Sequence, residues 1–313
     1  MSQIAFIFPG QGSQYVGMAQ DFYQSDPKAR DLFKLAEEAT GLTLRRMVFH
    51  GPLEELTETV NLQPAITVVN LCIYQALQQA GITPWAVCGH SLGEYSALCA
   101  AGVLSAADTL AAVRQRGRLM QREAEKYPGA MVAVIGLTPE KLQGLVHPLT
   151  KEGPIALANF NTREQTVVSG APDLVAQAGN LAKAEGARVV PLKVSGAWHS
   201  PLMAGAAADF TACLSKLTFN APRLPIYLNA TAGPETNPEL LRQLMSGQLT
   251  SPVRWAELIL NLKTAGVDTW VEVGPKNVLT GLVRKILPEE PKESFFNVEN
   301  RESLEKFLAA LGK

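Results

Sequence analysis

A chain of 313 residues, 47% hydrophobic and 18% charged, is long for one compact core, so two domains or one domain with an insertion are expected. Its 28 Lys and Arg against 29 Asp and Glu leave a net charge of -1, which argues against a general nucleic-acid binder. Cys72, Cys88, Cys99 and Cys213 form no CxxC pair, and no stretch nears the roughly 20 apolar residues that span a bilayer, so a cytoplasmic protein with reduced thiols and no membrane partner is expected.

From the N-terminus, residues 4–8 form an apolar run too short for a signal peptide. Broken by Pro9-Gly10-Gln11-Gly12, it reads as a buried strand entering a tight loop. Helical patterns follow at residues 17–24 and 27–40, and a third runs from Pro64, a favourable first-turn proline, to Ala80. Residues 85–88 are another short apolar run ending on Gly89, and such strand–helix alternation implies a parallel sheet covered by helices. Ser105 caps a long helix with Asp108 at its third position, which continues through Arg116 until Pro128-Gly129 stops it. The texture then changes. Strands at 131–137, 154–161, 165–169 and 187–194, with helices at 139–146 and 173–185, give the β-α-β-β-α-β order of a ferredoxin-like unit. After it come a helix at 200–217, a strand at 225–229, helices at 238–245 and 253–265, strands at 269–273 and 295–298, and a last helix from Arg301. The expected fold is α/β: a large α/β-hydrolase-like domain with a parallel sheet (1–125 and 198–313) carrying an inserted ferredoxin-like small domain (126–197).

Gly89-His90-Ser91-Leu92-Gly93 is a G-x-S-x-G run between a strand and an apolar helix, the setting of a nucleophile elbow. The alternative, a glycine-rich turn in which Ser91 only caps the helix, is disfavoured by that setting. The Leu92 N–H would sit at a helix N-terminus, where a developing oxyanion is stabilised. A serine needs a base. His50 lies in a polar loop and His147 precedes Pro148, whereas His199 falls at the seam between the two domains, where pockets form. Asp173 is the candidate third acid but reads more readily as a helix cap. The loop Pro9–Gln14 lacks the Lys-Ser/Thr of a P-loop and suits backbone amides aimed at Ser91. In Arg114-Gln115-Arg116-Gly117-Arg118, one arginine turned inward would offer a fork to a carboxylate, with Arg114 and Arg118 read as a solvated face. No metal-ligand spacing appears, and neither metal nor cofactor is expected.

These residues carry a family resemblance. Phe8-Pro9-Gly10-Gln11-Gly12-Ser13-Gln14, Gly89-His90-Ser91-Leu92-Gly93-Glu94-Tyr95, Arg116-Gly117, Asn159-Phe160-Asn161, Ala197-Trp198-His199-Ser200, Gln248 ahead of Ser251-Pro252-Val253, and Glu272-Val273-Gly274-Pro275 run in one order along the chain. That order resembles the malonyl-CoA:acyl carrier protein transacylases of fatty acid and polyketide synthesis, over essentially the whole sequence. The resemblance implies Ser91 as acylated nucleophile, His199 as base, and the N–H groups of Gln11 and Leu92 as oxyanion hole. It further implies Arg116 as partner of the malonyl carboxylate, Trp198 and Asn161 in the acyl site, and a backbone carbonyl near Gln248 orienting His199. Two departures are Trp198, where the family usually has Phe, and Lys276-Asn277 after Gly274-Pro275, where it usually has Gly-Lys.

Malonyl-CoA and acyl carrier protein are then the expected partners of a monomer working by a ping-pong route. Carrier proteins are acidic, so Arg284 and Lys285, or Lys183 and Lys193, are candidates to receive one. The rivals are an acyl hydrolase, an acyltransferase of different acyl specificity on the same fold, and a dead carrier-binding module. An α/β-hydrolase would place its histidine late, yet none follows His199. Clearing unsubstituted acyl groups would leave Arg116 without a purpose, and a dead module would lack Ser91 or His199.

Overall fold

Strand β1 (Ile4–Phe8) is buried at every residue after Ile4, as a parallel strand covered on both faces must be. It opens the computed structural model, which describes residues 2–288 and 294–313. Helices α1 (Gln20–Ser25), α2 (Pro27–Thr40), α3 (Leu44–His50) and α4 (Leu53–Thr57) follow, the last two in a stretch where the sequence suggested none. Asp26 caps α2 by accepting the Lys28 N–H, and Pro27 takes its first position.

Helix α5 (Thr59–Gln79) is buried nearly all round. It starts five residues before the expected Pro64, which therefore lies inside it. A proline cannot donate to the carbonyl four residues earlier. Here the vacant Val60 carbonyl accepts the Arg114 guanidinium at 3.0 Å, so Arg114 is not the purely solvated cation expected of it. Strand β2 (Ala86–Gly89), α6 (Gly93–Ala100) and α7 (Ala106–Lys126) come next, with Ser105 capping α7 through the Asp108 N–H at 3.0 Å.

Strand β3 (Ala130–Ile135), α8 (Pro139–Val146), β4 (Ile155–Thr162), β5 (Gln165–Gly170), α9 (Pro172–Ala184) and β6 (Arg188–Pro191) form a separate antiparallel sheet of order β4-β5-β3-β6. Its pleat divides the work. Val132 and Val134 face Leu142, Val175 and Ala178 of α8 and α9, whereas Met131 and Ala133 join the core of the larger unit with Met120 and Trp198.

The chain returns through α10 (Ala204–Leu214), β7 (Ile226–Tyr227), α11 (Pro238–Gly247), α12 (Trp255–Thr264), β8 (Thr269–Val273), α13 (Val278–Ile286), β9 (Ser294–Val298) and α14 (Arg301–Ala310). The large sheet has order β7-β2-β1-β8-β9, every pairing parallel. Strand β4 is tied to the segment ahead of α12, where Val253 N–H donates to Ala158 and Phe160 N–H donates to Val253, each at 2.8 Å. Helix α13 was not legible in the sequence. Its first N–H groups are satisfied by Glu272 of β8, which accepts from Leu279 N at 3.0 Å and Thr280 N at 2.7 Å. Among the described residues no helix is long and apolar enough to cross a membrane.

Candidate active site

Between β2 and α6 the chain turns so tightly that two glycines are obligatory. A Cβ on Gly89 would lie 2.1 Å from the Gly93 carbonyl carbon, and one on Gly93 would lie 1.9 Å from the Phe8 oxygen. Ser91 pays for the turn with a left-handed φ of 50°, a conformation costly for a residue with a side chain. Asn229, after β7, clamps it: Oδ1 accepts the Ser91 N–H at 2.7 Å, and Nδ2 donates to the Gly89 carbonyl at 2.7 Å.

The Ser91 hydroxyl lies 2.7 Å from His199 Nε2. His199 Nδ1 lies 2.9 Å from the Ser251 carbonyl and 3.1 Å from that of Gln248. Carbonyls only accept, so Nδ1 carries the proton and Nε2 offers a lone pair to the Ser91 O–H. His199 is also left-handed, with φ of 57°. Burial, then the Arg116 charge, lowers its pKa to about 3, so the ring is a neutral base at physiological pH. Among the described residues no carboxylate orients it, and Asp173 neither orients it nor caps α9: it lies exposed in the first turn, after an Ala171 N-cap.

Arg116 is 1% exposed. Its Nε donates to Gln248 Oε1 at 3.1 Å, Nη1 to Gln63 Oε1 at 2.9 Å and Nη2 to Ser91 Oγ at 3.2 Å, with its charge over the Tyr95 ring at 5.5 Å. Burial pulls its pKa below the usual arginine range. Arg118 is exposed. Glu94 is 1% exposed and accepts from Asn229 N at 2.7 Å and Gln248 Nε2 at 2.5 Å. Burial pushes its carboxyl up to about 7 against those two donors and the Arg116 charge.

A cavity of about 290 Å³ opens over these groups, and Gln11, Leu92, Arg116, Asn161, Trp198 and His199 line it. Among the described residues, the N–H groups of Gln11 and Leu92 have no acceptor. The Gln11 loop is braced by Asn70 Nδ2 donating to Pro9 O at 3.0 Å and Ser13 Oγ donating to Gly10 O at 2.7 Å. Asn161 is held by His90, Nε2 to Oδ1 at 2.9 Å, and that ring lies 5.4 Å from Trp255. Trp198 is 5% exposed, and its buried Nε1 has no hydrogen-bond partner among the described residues. Arg284 and Lys285 are exposed on α13, whose Val278, Leu279 and Leu282 reach the cavity wall, and Lys193 is exposed between Leu192 and Val194, which line another part of the wall. Lys183 is exposed on α9. Asn229, Glu94, Gln63 and Ser251 had no role assigned from the sequence, and they come together only through the fold.

The family model described as "Acyl transferase domain" matches residues 5–303. The malonyl CoA-acyl carrier protein transacylase of Bacillus subtilis strain 168 is 42% identical over 288 residues, 91% of each chain. An acyl carrier protein S-malonyltransferase from Vibrio cholerae superposes with a TM-score of 0.93 at 38% identity, covering 98% of this chain and 100% of that one. A malonyl-transacylase solved in complex with its type II PKS acyl-carrier protein superposes with a TM-score of 0.93 at 35% identity, covering 100% of both chains.

Proposed function

This chain belongs to the acyl transferase domain family, and from its site we propose that it moves the malonyl group of malonyl-CoA to acyl carrier protein, through an ester on Ser91. One observation carries the reading: a buried guanidinium, Nη2 of Arg116, stands 3.2 Å from the nucleophilic oxygen. An acyl group on Ser91 would therefore end beside a cation, which a malonyl carboxylate satisfies and an acetyl group does not.

The route is ping-pong. Ser91 Oγ attacks the thioester carbonyl as its proton passes to His199 Nε2. The tetrahedral oxyanion accepts the N–H groups of Gln11 and Leu92, the latter at the start of α6, where the helix dipole favours negative charge. Collapse breaks the C–S bond, and the coenzyme A thiolate leaves with the proton from His199. The phosphopantetheine thiol of the carrier then repeats the sequence in reverse, restoring the Ser91 hydroxyl. Gln248 and Ser251 orient His199 through their carbonyls, while Trp198 and Asn161 shape the acyl pocket. The chemistry uses no cofactor beyond the two substrates.

The large part (1–125 and 198–313) is α/β-hydrolase-like in carrying its elbow at the C-terminal end of a parallel strand. The insertion (126–197) is ferredoxin-like, a reading supported by its strand order. The carrier docks across the cavity mouth, with Arg284 and Lys285 on α13 and Lys193, with Lys183 beyond it, drawing its acidic surface. The enzyme works as a cytoplasmic monomer in fatty acid biosynthesis. The test is transfer from malonyl-, acetyl- and methylmalonyl-CoA to carrier protein, with hydrolysis followed alongside. Transfer with malonyl strongly preferred is expected. Hydrolysis outrunning transfer would make the chain a hydrolase.

A further inference from the structure

We infer that Glu94 is a positioning residue for carboxylate selection: its buried carboxylate fixes which way the Gln248 amide points, and that amide holds Arg116 where an acyl carboxylate meets it. The inference rests on the reading of Arg116 given above. Glu94 sits in the first turn of α6, three residues after Ser91, and each of its oxygens takes an N–H, Oε1 that of Asn229 and Oε2 that of Gln248. Gln248 Nε2 donates to it at 2.5 Å and to the Ser91 carbonyl, a second pure acceptor, at 2.9 Å. The other end of the amide is then forced towards α7. There Oε1 accepts from Arg116 Nε at 3.1 Å and from the Tyr95 hydroxyl at 3.3 Å. Turning the amide over would set its NH₂ against Arg116 Nε–H, and its oxygen against both Glu94 and the Ser91 carbonyl. Glu94 thus decides whether Arg116 sees an acceptor or a donor.

The same carboxylate reaches the nucleophile by a second path. Glu94 Oε1 accepts Asn229 N–H, and Asn229 Oδ1 accepts Ser91 N–H. One buried group therefore sets the elbow and the selecting arginine against each other, although it touches neither the Ser91 hydroxyl nor the guanidinium.

Glu94→Gln keeps the size but removes one acceptor. With its oxygen kept for Asn229 N–H, its NH₂ faces that of Gln248, which turns over and presents a donor to Arg116. The measurement is kcat/KM for malonyl and acetyl transfer in wild type and variant, with a thermal melt. The malonyl-to-acetyl ratio is expected to fall on the order of 10–100-fold, the size of a hydrogen bond to a charged group. A merely structural loss would lower both donors alike. The paired variant Glu94→Gln/Gln248→Glu restores one acceptor towards the introduced amide and one towards Arg116, at the cost of setting a carboxylate oxygen against the Ser91 carbonyl. It is expected to recover the ratio about tenfold over the single variant. An unchanged ratio in folded Glu94→Gln, or a folded pair without recovery, overturns the role. If the single variant does not fold, a folded pair that prefers malonyl supports it. Failure of both to fold overturns it, because Glu94 then serves folding. Intact-mass analysis of wild type after malonyl-CoA keeps the two readings apart: no malonyl adduct overturns both, whereas a normal adduct beside an unchanged ratio overturns only the role of Glu94.

Discussion

The two halves of the site are built from different material. On the reacting side, main-chain atoms do most of the placing: left-handed backbone at Ser91 and His199, carbonyls of Gln248 and Ser251 on the imidazole, and free N–H groups at Gln11 and Leu92. On the selecting side, side chains hold a side chain, since Arg116 hangs on the amides of Gln63 and Gln248 and on the Ser91 hydroxyl. Main-chain atoms survive any substitution that keeps the fold. Amide side chains do not. The difference teaches that the chemistry should resist change everywhere except at the reacting atoms, while substrate choice should be open to retuning from several elements.

The reacting side breaks hardest at its own atom. Ser91→Ala is expected to lower malonyl transfer by on the order of 10⁴–10⁶ and to abolish the malonyl adduct in intact-mass spectra. A label on another residue would end the mechanism. The selecting side breaks less and unevenly. Arg116→Ala removes the cation, which costs malonyl transfer about 3–5 kcal/mol, on the order of 10²–10³ or more in rate, and acetyl transfer far less. Equal losses for the two donors in steady-state kinetics would make the arginine structural and erase the division between the halves.

Trp198 lines the same cavity, and on the proposed reading it limits the acyl group by bulk. An indole is larger than the phenyl ring usual in the family, so methylmalonyl is expected to be disfavoured, by roughly 10–200-fold for one methyl against a wall. Trp198→Ser should narrow the ratio of kcat/KM values, mainly through faster methylmalonyl transfer. An unchanged ratio in a folded variant would place the ring outside the acyl path. The pH profile of loading tests the reacting side more gently. A base with an ordinary histidine pKa would lose about 30-fold by pH 5. His199, held to about 3, stays neutral there. Loading between pH 8 and 5 is therefore expected to vary by less than about twofold from this residue, and a drop centred near 6.5 that persists in Glu94→Gln, which removes the carboxyl standing at about 7, would mean that the site is wetter than it looks.

The same division governed what the sequence could reveal. The elbow was legible because its glycines, serine and flanking apolar runs are neighbours in the chain, and Ser105 with Asp108 announced α7 by a three-residue signal. Arg116 was singled out from three arginines only by the family resemblance, because the amides that hold it come from Gln63 on α5 and Gln248 after α11. Asn229 and Glu94 carried no local sign of their part, since each is satisfied by residues more than a hundred positions away. Helix α13 was missed for a similar reason: Asn277 makes no side-chain cap, and the cap is a carboxylate on the preceding strand.

Arg114 is expected to give the smallest effect, and it bears on where the selecting side ends. It stands two residues before Arg116 and was read as a solvated cation, yet Nη1 fills the Val60 carbonyl that Pro64 leaves vacant. Arg114→Ala surrenders one hydrogen bond on a half-exposed residue, worth about 0.5–1.5 kcal/mol. At roughly 2–4 °C per kcal/mol for a large domain, the melting temperature should fall by about 1–6 °C, and Arg114→Lys should recover part of it. The malonyl-to-acetyl ratio should stay put, because the partners of Arg116 are untouched. Gln63, however, lies beside Pro64 in the same turn of α5 and holds Arg116 Nη1 at 2.9 Å. If the ratio fell together with the melting temperature, the start of α5 would itself be part of the selecting side. Substrate choice would then depend on how a proline-bearing helix is closed, and not on the contacts of one arginine alone.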